Sequence, residues 1–82
     1  MKPIRQQIQE LKHEERMEIK KCERARNQAA IWRGRERIAM NNFFAGVYAE
    51  RAEKCEVMAV RAFKKSQRAI RKWVALECEI NG

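Results

Sequence analysis

Eighty-two residues make one domain at most, and a chain this short buries a modest core when alone. Turn-rich architectures are excluded by composition: there is no Asp or Thr, one Ser, one Pro and three Gly, while Ala, Glu, Lys, Arg and Gln are abundant. The formal charge of +8, from 19 Lys and Arg against 11 Glu, calls for an anionic partner without choosing among nucleic acid, lipid and acidic protein.

The opening segment MKPIRQQIQEL has no apolar signal core, and no run of 18 apolar residues occurs anywhere. The three cysteines, Cys22, Cys55 and Cys78, are odd in number and lack close pair spacing. A cytoplasmic chain with free thiols and no membrane span is the expectation.

Pro3 suits the first turn of a helix, where its missing N–H is not needed. From there Ile4, Ile8, Leu11, Ile19, Cys22, Ala29 and Ala30 recur at helical spacing, with Glu15 and Arg26 interrupting the line. A first helix is expected over about 3–39, with Gly34 its weak point. Beyond Ala30 the pattern slips, because Arg26, Arg33 and Arg37 rotate onto the face of Ile8 and Cys22. A kink or a short extra helix between about 31 and 40 would account for that. This helix also segregates its charges: Lys12, Arg16, Lys20 and Arg24 form one column, and Glu10, Glu14 and Glu18 another. Like charges four apart cost a few tenths of a kcal/mol each in an isolated helix, so the columns favour a second helix alongside, as at the flanks of a coiled coil.

MNNFFAG, residues 40–46, holds the only Asn pair and a Gly, and is read as the turn. Asn41 or Asn42 would cap the next helix. That helix is expected over about 43–79, with Phe44, Tyr48, Ala52, Cys55, Ala59, Ala62, Phe63, Ala69, Ile70 and Trp73 as its stripe, flanked by Met58 and Leu76. Ser66 sits mid-stripe, where its hydroxyl can bond back to its own helix. The fold class is therefore all-α: two long antiparallel helices in a hairpin. Eleven Ala against two Leu make a core of small residues that buries little area each, at about 25 cal/mol per Å². Dimerising into a helical bundle, or docking on a partner, is the expected remedy.

Catalysis finds little support. Nucleophilic triads need a base and an orienting group, and the single His13 lies nine residues from Cys22 on one helix, about 13 Å away by helical rise. Each Glu stands in a Lys- and Arg-rich polar stretch, without the depth that tunes catalytic carboxylates. The cysteines lack zinc-ligand spacing, and no Gly-rich phosphate loop occurs. The expectation is a non-enzyme with no metal and no cofactor.

Two segments carry unusual charge. In RAFKKSQRAIRK, the cations Arg61, Lys64, Lys65, Arg68, Arg71 and Lys72 fall within about a third of the helix circumference, opposite the stripe. No acid lies between Val57 and Leu76, whereas a merely solvated face mixes Glu with Lys. In RARNQAAIWRGRER, residues 24–37, arginines surround the helix. This segment resembles, in composition, the arginine-rich RNA-binding peptides of phage antitermination proteins, a likeness that would imply insertion into an RNA groove. Those peptides are usually free arms. Here the segment is mid-chain beside Ala29, Ala30, Ile31 and Trp32, which reads instead as helix exterior or the rim of a protein interface. A membrane-surface role has some pattern support, since the second helix is basic on one side and carries Phe63, Ile70 and Trp73 on the other, but folding needs the same stripe.

The resulting expectation is a small basic regulator or inhibitor, of the kind phages and mobile elements carry, docking on a larger acidic-surfaced protein. Trp32, Arg33, Arg35 and Arg37 are its candidate anchors. The alternative is DNA or RNA binding without sequence specificity, through the ridge from Arg61 to Lys72.

Overall fold

The computed structural model describes residues 2–81. The chain forms α1 (Ile4–Ile38) and α2 (Asn42–Asn81). Cross-helix pairs set them antiparallel: Lys12 meets Glu77 at one end and Arg33 meets Glu56 towards the other. The hairpin is a rod of 60 × 17 × 15 Å. That length is what about forty helical residues span at a rise of roughly 1.5 Å each.

The seam between the helices repeats every three and four residues along their whole length. On α1 it runs Ile8, Leu11, Glu15, Glu18, Cys22, Ala25, Ala29, Trp32 and Glu36, ending at Ala39 just past the helix, each buried or half-buried. On α2 it runs Ala45, Tyr48, Ala52, Cys55, Ala59, Ala62, Ser66, Ala69, Trp73 and Leu76, again without an exposed member. A 3.5-residue period is the signature of a left-handed coiled coil. Read at 3.6 residues per turn, a line drawn from Ile8 drifts about 20° per heptad. By the fourth heptad it has moved onto the arginines. The apparent slip beyond Ala30 is thus the supercoil, and the anticipated short extra helix does not form: α1 is one helix through Gly34 to Ile38.

The same register corrects the α2 stripe. Phe44, Met58 and Phe63 stand one position off the seam and remain 51%, 61% and 46% exposed. The seam is otherwise small, with Ala52, Ala59, Ala62 and Ala69 buried. Its buried Ser66 donates to the Phe63 carbonyl at 2.6 Å and so leaves no lone hydroxyl in the core.

Glu15, an interruption by hydropathy, has a reason to be in the seam. Its carboxylate accepts the indole N–H of Trp73 at 2.7 Å. Lys12 lies 4.7 Å from the centroid of the same ring and reaches Glu77 at 3.0 Å. Together these four residues tie the open end of the hairpin.

The turn is tighter than MNNFFAG suggests. Only Ala39, Met40 and Asn41 lie between the helices, and Gly46 is already helical. Asn41 supplies the cap, its Oδ1 accepting the N–H of Phe43 at 2.7 Å. Ala39 ends α1 in an extended conformation, and no described residue takes a positive φ, so the connection needs no glycine. At the N-terminus Pro3 caps rather than enters the helix: its backbone is extended, and its carbonyl accepts from Gln7 N–H at 3.1 Å.

Candidate partner interface

Trp32, Arg33, Arg35 and Arg37 sit on the last two turns of α1, but they do not form one patch. Trp32 belongs to the seam. Its ring stacks on Tyr48 with centroids 5.7 Å apart, and the guanidiniums of Arg35 and Arg51 each lie 4.8 Å from its centroid. Arg33 bridges the helices, donating to Glu56 at 2.7 Å and Glu36 at 2.9 Å. Those two carboxylates hold its guanidinium still further into the charged form. Arg33 is therefore committed to the hairpin itself. Arg37 is exposed, in the last turn, where it complements the carbonyl end of α1.

The six ridge cations on α2 are all exposed, and none pairs with a carboxylate among the described residues. Five of them divide into two sets, and the sixth, Lys72, lies apart near the open end beside Glu10 and Glu14 of α1. Lys64, Arg68 and Arg71 gather around Phe63 and Gln67 on the outer surface of α2. Arg61 and Lys65 instead border a groove shared with α1, whose other bank carries Lys21 and Arg24. Arg24, the last member of the first-helix basic column, meets two cations of the α2 ridge there, with Lys21, which lies outside that column, beside it.

The groove encloses about 490 Å³. Its floor is Ala25, Cys55, Met58 and Ala62, and Gln28 and Glu18 complete the wall. Small seam residues make the depression, because no long side chain fills the space between the backbones. Glu18 is the surprise: it is buried to 8% exposure, although its neighbours in sequence suggest a wet surface. Its carboxylate meets Lys21 at 3.4 Å. Expecting every carboxylate to stay shallow was wrong at Glu18 and at half-buried Glu15 and Glu36, because all three occupy seam positions, Glu18 disguised as a member of the acidic column.

A second surface had no clear signal in the stripe reading. At the hairpin tip Met40 is fully exposed and Phe43 is 71% exposed, with Ile38 and Phe44 beside them. Phe43 meets Phe44 edge-on at 5.6 Å, and Phe44 stacks toward Tyr48 at 6.4 Å, so an aromatic ladder runs from the tip to Trp32. The signal available was the three-residue turn: once Asn41 caps α2, the residues around it have no opposing helix to cover them.

The cysteines are free: Cys22 is buried, Cys55 lies in the groove floor and Cys78 is exposed. No helix is long and apolar enough to cross a membrane among the described residues. Comparison with protein-family models, with curated proteins and with solved structures finds no match to the chain.

Proposed function

We propose that the protein is a small non-enzymatic interaction module, a regulator or inhibitor of the type phages and mobile elements carry, that docks on a larger acidic-surfaced protein. One observation carries this reading: Lys21, Arg24, Arg61 and Lys65 converge from both helices on an apolar groove. Cations flanking an apolar floor suit an interface with a buried centre and a polar rim. A nucleic-acid-handling machine that carries an acidic surface patch is one such target, since charge complementarity would steer a basic module onto that patch. Self-association belongs to the same reading. Val60, Phe63 and Val74 stay about half exposed on the side of α2 away from the groove, where a second hairpin would complete a four-helix bundle.

The competing reading is nucleic-acid binding by the outer ridge, favoured by Lys64, Arg68 and Arg71 having no carboxylate partner among the described residues. Phosphate contacts there would position a strand without reading its bases.

Affinity capture of the tagged chain from lysate, with and without nuclease, separates the two. The regulator reading expects one stoichiometric protein that survives nuclease and moderate salt. Partners that vanish with nuclease, together with binding that collapses steeply between low and moderate salt, would overturn it in favour of the ridge.

A further inference from the structure

We infer that the groove between Lys21, Arg24, Arg61 and Lys65 is the seat of a third helix, an amphipathic helix of the partner with small or medium apolar residues on one stripe and glutamate or aspartate flanking it. This rests on the regulator reading and names the chemistry of the surface that the module would grip.

Three observations select that occupant. The groove lies between two antiparallel helices wound at a 3.5-residue repeat, so a third helix can enter by the same knobs-into-holes packing that joins the first two. Its floor offers Ala25, Ala62, Cys55 and an exposed Met58, a thioether on a flexible stem that moulds to an incoming side chain. Its banks are basic on both sides, with the single buried carboxylate, Glu18, engaged by Lys21 at 3.4 Å. A helix laid between them places its own flanking residues against Lys21 and Arg24 on one side and Arg61 and Lys65 on the other, which selects acids at both flanks.

Other occupants fit less well. A second copy of this chain centred on the groove would set its own four cations against these four. Single-stranded nucleic acid needs aromatic rings for base stacking, and the groove has none. Of the two tryptophans, Trp32 already stacks on Tyr48 and lies against two guanidiniums, and Trp73 is bonded to Glu15.

The test uses the full chain and a synthetic three-heptad peptide, with Leu and Ala on its stripe, Glu at the flanking positions and Gln elsewhere, labelled with fluorescein. Binding is read by fluorescence anisotropy at about 0.15 M salt, where interactions between distant surface charges are largely screened. The expected result is saturable one-to-one binding. It should weaken about tenfold or more in the Arg61→Glu, Lys65→Glu variant, and likewise with Met58→Glu, because charged pairs and apolar floor each contribute. A peptide carrying Lys in place of Glu should not bind. The Lys64→Glu, Arg71→Glu variant makes the same charge change away from the groove and should bind like the parent. All three variants sit at exposed positions, and their helicity by circular dichroism should match the parent.

Failure of the acidic peptide to bind would overturn the inference. So would equal losses in the groove and outer variants, which would mean diffuse attraction, or preference for a labelled oligothymidine over the peptide at the same residues. If lysate capture yields a nuclease-resistant partner that the Arg61→Glu, Lys65→Glu variant retains, the groove inference falls while the regulator reading stands. If capture yields only nucleic acid, the regulator reading falls with it.

Discussion

The two sides of the hairpin use the same residue types for opposite ends. On one side Lys12 reaches Glu77, and Arg33 reaches Glu36 and Glu56, so these two cations hold the helices together, while Arg26 and Arg37 beside them form no ion pair among the described residues. On the other, Arg24, Arg61 and Lys65 have no carboxylate partner among the described residues, and Lys21 keeps one within its own helix, at 3.4 Å from Glu18. Sequence alone does not distinguish the sets, because each cation stands in a similarly charged stretch. The flank of the seam on which it falls makes the difference. Lys12 and Arg33 each meet a Glu across the seam, whereas Arg61 and Lys65 share their groove with Lys21 and Arg24. Substitution at the two sides should therefore separate stability from binding.

The largest effect is expected at Trp73. Replacing it with Ala removes a large half-buried ring, strands the Glu15 carboxylate in the seam and frees Lys12. A loss of about 3 kcal/mol follows from the usual cost of truncating a core Trp. Chemical denaturation followed by circular dichroism measures it. A loss near zero would mean the open end contributes little and the tied side is tied only at Arg33.

Arg33→Gln should also lower the denaturation midpoint, by less than Trp73→Ala, because the Arg33 ion pairs are accessible to solvent. The same change at Arg24, on the groove side, should leave the midpoint where it is. Equal shifts at the two positions would erase the distinction between the sides.

The turn tests whether the tip is as ordered as the seam. Asn41→Ala deletes the oxygen that accepts the N–H of Phe43 and should cost about 1 kcal/mol. Hydrogen exchange should then rise at the first turn of α2 while the amides around Ala59 and Ala62 stay protected.

Much of this was legible in the sequence, and the misreadings share one cause. Helix content, the hairpin and the use of Asn41 or Asn42 as a cap follow from a turn-poor composition and a single Asn pair. The small seam residues of α2 were visible too, since Ala52, Ala59, Ala62 and Ala69 stand out at helical spacing. What failed was the choice of period. At 3.6 residues per turn Phe63 joins the stripe and Glu18 leaves it for the acidic column; at 3.5 the reverse holds, while Glu15 lies on the line at either period and was read as an interruption. An apolar count cannot recover Glu18, because its room in the seam depends on small α2 residues that the antiparallel register brings near it, Ser66 and Ala69. The groove was half legible. Both of its banks were noticed as charged stretches, but their meeting depends on antiparallel register, which no local pattern encodes. Arg33 was read as an anchor because its partners, Glu36 and Glu56, lie on two helices and only one of them is near in sequence.

The smallest stability effect, and the one with the opposite sign, is expected at Gly34. A break there was the simplest account of the pattern slip, and a supercoil is the alternative that the seam supports. The two make different predictions for Gly34→Ala. If α1 bends or ends at this position, the added methyl resists the bend and the protein loses stability. If α1 runs on as one helix, the substitution removes backbone freedom from the unfolded chain at no steric cost, since nothing lies within 4 Å of where the Cβ would sit. A gain of about 0.5–1 kcal/mol is then expected, as for glycine in any helix interior. Because Gly34 faces outward between Arg33 and Arg35, the gain should come without altered binding at the groove. A measured loss would place a hinge just before the tip, and with it a route by which the exposed Met40 and Phe43 could move independently of the tied side.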